Sequence, residues 1–409
     1  MNRDGVANFA WWGLLSALLL ATPIIGTLAA IFTLIITLFS LGIVFVPGAV
    51  RSLREQPMIL LFIVGFLLFA IISAMNAKAL SDMIYIFNFT AFLLAVPAYL
   101  LARERAGYET AVAILTMCLF GAGIALVVAL IDVNIRNLSR AEGFFSGAIL
   151  FARVGVTLGF VAGMGFFLVR GPFRFLYLAG PAFGIIVTVL SQSRGTLIAL
   201  PILALLYFFY ALRRAQTIQA RLIMVVILLA VGAMGFIVMG DYSARFSQLG
   251  NIVSQLFAGE VSLDESASIR LDFYKTGWTL FIQNPLFGYG WANMADEAFR
   301  ILDPSDYPVI LVEQFHFHND FFNFVVAAGI FGFISLLAFL CGPLVGALYL
   351  PRDRLFAIRL EIILMIFALY VISGLTDMVI GYDLPTAMFA ILSAVIVGAV
   401  RESQLLTQI

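Results

Sequence analysis

The residues of this chain best suited to chemistry are its two histidines and a few arginines that stand out of otherwise apolar sequence. Both histidines lie in Glu313-Gln-Phe-His-Phe-His-Asn-Asp-Phe-Phe322, at the mouth of a long apolar run. A neutral imidazole titrates near working pH, so His318 can accept or orient the proton of a hydroxyl, while His316 is expected to point elsewhere from it. Asn319 follows directly and can hold a polar substrate. Arg194 sits in Ser191-Gln-Ser-Arg-Gly195, a tight turn between two apolar runs. Arg270 stands in the first turn of a candidate helix, with Tyr274 one turn on. Guanidinium groups stay charged and can bind a phosphate with two parallel hydrogen bonds. Arg136 and Arg140 line the loop before a further apolar run. The chemistry on offer is proton transfer beside an anion clamp.

Each residue also has a plainer reading. Arg194 can snorkel to lipid phosphates or end a helix. Arg270 can pair with Asp272, and His318 can be an interface histidine bonded to Glu313 or Asp320. Arg153 and Asp377 read as charges inside apolar runs, either lining a polar cavity or pairing locally. No metal or cofactor is expected, because the histidine pair has no partner pair at the usual ligand spacing. There is no Walker motif, no GxGxxG after a strand and no serine-centred nucleophile elbow.

The elements that must position these groups are membrane helices. The chain is 63% hydrophobic and 11% charged, with a mean hydropathy of +1.08, which excludes an ordinary soluble domain. Its 23 basic residues balance 23 acidic ones, so charge points to no nucleic-acid partner. Apolar stretches of spanning length fall at about 9–25, 28–50, 58–76, 82–101, 110–131, 148–169, 175–192, 195–212, 222–239, 320–348, 360–378 and 386–400. The fold class expected is therefore an all-α polytopic membrane protein of about twelve transmembrane helices. With the N-terminus inside, fourteen arginines fall in inner segments, and every inner segment holds at least one. The positive-inside rule then places both termini in the cytoplasm. Cys118 and Cys341 lie in apolar runs and read as packing residues.

One segment breaks the rhythm. Residues 240–319 lack a spanning run and form a large external loop, divided here from helical blocks at 1–147, 148–239 and 320–409. Ser268 is expected to cap a helix from about 269 to 283, ended by Asn284-Pro285. Its apolar positions Ile269, Phe273, Trp278 and Phe281 suit packing on the membrane or the bundle. Asn284-Pro-Leu-Phe-Gly-Tyr-Gly290 reads as a loop. Continued as a helix, His318, Phe322, Val325, Gly329, Gly332 and Leu336 share one face, and the glycines would admit a neighbouring helix beneath the histidine.

This arrangement resembles the O-antigen ligase/polymerase superfamily of bacterial membrane glycosyltransferases. The resemblance rests on His318-Asn319, nine residues, Gly329, two residues, Gly332. The Ser-Arg-Gly turn at Arg194, the Ile269-Arg270 helix and the Asn284–Gly290 loop follow the superfamily's order. It implies a GT-C-like fold with a helical periplasmic loop domain at the inner membrane. It also implies transfer of a glycan from an undecaprenyl-diphosphate donor to a lipid A-core acceptor, without metal or nucleotide. His318, Arg270 and Arg194 would then be catalytic. Arg194, Arg270, Tyr274, Asn319, Arg140, Arg136 and His316 would bind substrate, with membrane lipids around. A polymerase of the same superfamily, a polytopic lipid or sugar transporter and a non-catalytic envelope scaffold stay open as alternatives. A transporter would predict an internal repeat, and none is evident.

Overall fold

The computed structural model describes residues 3–45, 53, 56–144, 146–215, 217–219, 222 and 265–402. Among them every regular element is helical, apart from an isolated bridge between Ile380 and Tyr382. In chain order the main helices are α1 (Ala7–Ile25), α2 (Thr27–Gly42), α3 (Pro57–Met75), α4 (Leu80–Arg103), α5 (Tyr108–Asn134) and α6 (Ala148–Leu168). They continue with α7 (Pro172–Ser191), α8 (Arg194–Arg214), α9 (Glu265–Gln283), α10 (Asp320–Tyr349), α11 (Phe356–Gly374) and α12 (Asp383–Ala399). Nine of these are long and apolar enough to cross a membrane, while α2 and α12 are shorter apolar helices and α9 is not of that kind. Nine of the twelve expected spans thus coincide with helices of spanning length, while 28–50 and 386–400 coincide with the shorter α2 and α12. The twelfth, 222–239, lies outside the described residues apart from residue 222, as does 240–264.

The helix α12 is apolar all round and buried from Leu384 to Val400, which makes it the axis of the bundle. It packs on α4, α2 and α11, and α10 packs on α3 and α11. Phe92 of α4 and Phe339 of α10 stack with centroids 3.7 Å apart. Phe69, Phe89 and Phe324 close around Trp291, which comes from the segment between α9 and α10 and so fastens it to the bundle. Cys118 and Cys341 are both free thiols.

Between α6 and α7 the packing is backbone on backbone. Gly155, Gly159 and Gly163 recur every fourth residue on α6, opposite Gly180 and Gly184 of α7. A Cβ on Gly180 would lie 2.6 Å from the Gly159 carbonyl oxygen, and one on Gly159 would meet the Gly180 carbonyl. In lipid, where no hydrophobic force joins helices, such close approach is a main source of adhesion. It fixes the α7–α8 turn, which carries Arg194, against the helix that carries Arg153.

The links gather at two ends. At one end, Asn76 donates to the Phe287 carbonyl at 2.9 Å, joining the loops after α3 and α9, and Gln192 donates to that of Ser139 at 3.0 Å, joining those after α5 and α7. At the other, Gly107 donates to the Ala399 carbonyl at 3.1 Å. There Arg359, counted from the sequence as an inner-loop charge, is fully buried in α11. It donates to the carbonyls of Val400 and Pro351 at 2.9 Å each and stands 3.4 Å from Asp353, stitching the ends of α10, α11 and α12.

Two expectations about the histidine region are corrected. The helix α10 begins at Asp320, so His318 precedes it and shares no helical face with Val325 or Gly329. And α10 is broken at Ala328 (φ −142°) and Gly329 (φ 59°), where it meets a loop and not a helix. Tyr289 and Gly290 donate their N–H groups to the carbonyls of Val326 and Ala327 at 2.9 and 2.8 Å, and Ile330 donates to Pro285 at 2.8 Å. A Cβ on Gly329 would strike the Leu286 backbone, and one on Gly288 would lie 2.5 Å from the Val326 oxygen. Among the described residues α9 already runs from Glu265, so Ser268 lies within it and does not cap it. Its buried face is Phe273, Thr276, Gly277 and Leu280, and Trp278 points outward.

Gly159→Ala is expected to lower stability in detergent by about 1–3 kcal/mol, since the added methyl group must push the two helix backbones apart. Gly123→Ala, whose nearest neighbour is a Phe183 ring carbon at 3.7 Å, should be neutral. Equal melting temperatures for both variants would remove the argument.

Candidate functional site

The site is built where the start of α10 meets the 375–382 link between α11 and α12. Asn319 caps α10, its side-chain oxygen accepting from the Phe322 N–H at 3.3 Å while its amide donates to the Leu375 carbonyl at 3.1 Å. Asp320, buried in the first turn, accepts from the N–H groups of Val379 (2.8 Å) and Ile380 (3.3 Å). An acid in that position also suits the positive end of the helix dipole. The Tyr274 hydroxyl reaches from α9 to the carbonyls of His318 (3.1 Å) and Leu375 (3.0 Å), sharing its one proton between them. Burial raises the pKa of this phenol, which keeps it a donor.

His318 itself takes a left-handed conformation, φ 50°, uncommon for a residue with a side chain. Tyr274 holds its carbonyl, and its N–H donates to Nδ1 of His316 at 3.1 Å. The turn brings the two imidazoles together, centroids 4.0 Å apart. Helix spacing would point His316 away from His318; the left-handed residue instead folds the two rings together. With Nδ1 accepting a hydrogen bond, His316 carries its proton on Nε2 and is neutral. Burial, helped by the neighbouring His318, lowers its pKa to about 4.

The third member is Asp377, 7% exposed in the 375–382 link. Its Oδ1 lies 3.4 Å from Nδ1 of His318, and its Oδ2 lies 3.3 Å from Nη2 of Arg153, itself 2% exposed on α6. At 3.4 Å the imidazole contact is longer than a well-formed hydrogen bond, so charge and orientation carry it. Burial pushes the Asp377 carboxyl upward, but the His318 contact and the Arg153 charge outweigh it, and the net shift is downward. The row Arg153–Asp377–His318 leaves Nε2 of His318 as the nitrogen for a substrate. Phe273 covers one face of that ring, nearly parallel at 6.1 Å.

The predicted arginines fall into two groups. Arg194 opens α8, and the turn it stands in is seated on the link: a Cβ on Gly195 would lie 2.5 Å from Oγ1 of Thr376, the neighbour of Asp377. Arg270 is half-buried one turn before Tyr274, and its charge acts on both Tyr274 and His316. Arg136 and Arg140 are drawn into their own loop. Arg136 pairs with the buried Asp132 at 2.6 Å and lies over the Phe144 ring, and Arg140 pairs with Glu142 at 3.1 Å. Ala141 donates to the Leu190 carbonyl at 2.9 Å, so this loop still flanks the Arg194 turn.

Sequence reasoning leaves Arg153 and Asp377 open, and the fold gives them a role. Their signal is a charge inside an apolar run, with nothing to say that residues 224 apart would meet. Asp377 also supplies the third ligand that the histidine pair lacked: donor atoms of His316, His318 and Asp377 all lie within 4.8 Å of one another. Two histidines and a carboxylate are a chemically sound set for a divalent ion. Arg153 competes for the same carboxylate.

The O-antigen ligase family model matches residues 179–337. That segment contains Arg194, Arg270, Tyr274, His316, His318 and Asn319 and leaves out Arg136, Arg140, Arg153 and Asp377. Among curated proteins no match was found.

His316 yields a pH prediction. Its folded pKa, about 4, is below the unfolded value of about 6.5. The unfolded chain therefore binds more protons between those values, and this contribution to stability is complete above about pH 6.5 and is lost as pH falls toward 4. His316→Gln should flatten the dependence of melting temperature on pH in that window. A His316 resonance titrating near 6.5 would contradict the assignment.

Proposed function

We propose that this chain, which matches the O-antigen ligase family through residues 179–337, transfers a glycan from a lipid-linked diphosphate donor to a sugar hydroxyl of a lipid A-core acceptor. The observation that carries the reading is the row Arg153–Asp377–His318 next to the arginine-bearing elements α8 and α9. In this scheme Nε2 of His318 takes the proton of the acceptor hydroxyl as its oxygen bonds to the anomeric carbon. The bond from that carbon to the diphosphate oxygen breaks on the opposite face, so configuration inverts. Asp377 balances the imidazolium that forms, and Arg153 keeps that carboxylate ionised.

The leaving diphosphate gains charge as the bond breaks, and two guanidinium groups, Arg194 and Arg270, are suited to hold it. Asn319 and Tyr274 maintain the turn that aims His318. A lipid donor fits a site set among apolar helices, with its charge at the membrane surface in the periplasm. The arginine distribution supports a cytoplasmic placement of both termini. A polymerase would use the same donor chemistry with a second lipid-linked glycan as acceptor. Product sizing after reconstitution separates the two, since a single addition marks a ligase and a ladder a polymerase.

Arg270→Ala and Arg194→Ala should each lower transfer on the order of 100- to 1000-fold and weaken donor binding. Lys at either position should restore activity incompletely, lacking the forked geometry. His318→Ala should bind donor normally and lose roughly 100- to 10,000-fold in transfer. Near-normal transfer by His318→Ala would refute the scheme.

Because arginines take the place of a cation, activity should persist in excess chelator. Added Zn²⁺ should inhibit, since the His316, His318 and Asp377 donors that can hold it include the proposed base. Loss of activity on chelation, restored by a divalent ion, would overturn the assignment of His318 as base.

A further inference from the structure

The end of the bundle opposite the histidines holds a second site. A cavity of about 690 Å³ opens there, between the α6–α7 link, the end of α8 and the α10–α11 link. Four arginines line it, Arg170, Arg174, Arg214 and Arg354, against one carboxylate, Glu402. In a chain whose overall charges balance, that concentration is local.

Two of the arginines are held by aromatic rings, and Arg354 stands 3.4 Å from Glu402. Arg174 lies over the rings of Phe166 and Phe175 at 5.2 and 4.9 Å. Arg214 lies over Tyr210 at 5.4 Å and donates to its hydroxyl at 3.0 Å. Stacking fixes each guanidinium plane and leaves edge N–H groups for an anion. Beneath the charges the lining is apolar, with Phe167, Leu168 and Val169 in the wall. Beside it, Phe173 and Leu176 are 71% and 59% exposed on the short turn that opens α7.

We propose that this cavity binds the phosphate head group of an anionic phospholipid, with the acyl chains running over Phe173 and Leu176. Its volume suits a head group and lies within the range of small-molecule sites. A free phosphate compound would satisfy the arginines, but it would leave the exposed aromatic and leucine side chains without a role. Basic pockets between membrane helices take anionic head groups for this reason. The arginine asymmetry assigns this end to the cytoplasmic leaflet. The site is independent of the transfer chemistry at the other end.

The test uses the full-length protein in neutral detergent, offered phosphatidylglycerol, phosphatidylcholine or inorganic pyrophosphate, with bound ligand read by native mass spectrometry. Phosphatidylglycerol should be retained roughly tenfold or more over phosphatidylcholine, and Arg174→Ala/Arg214→Ala should abolish the preference. Glu402→Gln removes the competing carboxylate and should strengthen retention, a gain that misfolding cannot produce. Equal retention of the two lipids, or unchanged retention in both variants, would overturn the proposal. So would pyrophosphate binding that displaces the lipid, since the site would then belong to a soluble phosphate compound. If the double variant fails to fold, Glu402→Gln decides alone.

Discussion

A carboxylate with 7% exposure among apolar helices has to be compensated, and Asp377 is the constraint on which this site depends. Breaking a buried pair typically costs about 3–5 kcal/mol, because the remaining charge stays buried without a partner. Its partners come from α6 and from the turn before α10, so one charge balance joins three segments of the chain. The surrounding hydrogen bonds tie the same region together. Asp320 holds the N–H groups of Val379 and Ile380, and the Leu375 carbonyl is held by both Asn319 and Tyr274. The imidazole is therefore positioned by a rigid frame, although it lies on a link and not within a helix.

The second constraint is the backbone. A helix broken within an apolar bundle leaves carbonyls that lipid cannot satisfy. Those of Val326 and Ala327 are taken by Tyr289 and Gly290, and the N–H of Ile330 reaches Pro285. Loop and break are complementary, and neither would be stable alone. This explains the glycines ten and more residues beyond His318. They mark where a loop enters the helix, and the same loop ends α9, which carries Arg270 and Tyr274.

The two ends of the bundle differ in how they treat arginine. At the histidine end Arg153 is consumed by a buried carboxylate and Arg136 by Asp132. At the other end Arg359 is engaged by carbonyls, while Arg174 and Arg214 are stacked on aromatic rings with edges turned to a cavity.

The sequence by itself determined the class and the helices. Composition excluded a soluble domain, and spanning runs located nine helices of membrane length and two shorter ones, because hydropathy over twenty residues is a local property and lipid enforces it. It also singled out His318, Arg194 and Arg270, whose residue types are out of place in their surroundings. Only the tertiary structure decided what they meet. The contact of Asp377 with His318 and Arg153, the left-handed turn that folds His316 onto His318, and the loop seated in the break of α10 join residues far apart in the chain or depend on one dihedral angle. Such features follow from which helices pack together, and periodicity along a single helix carries no information about its neighbours.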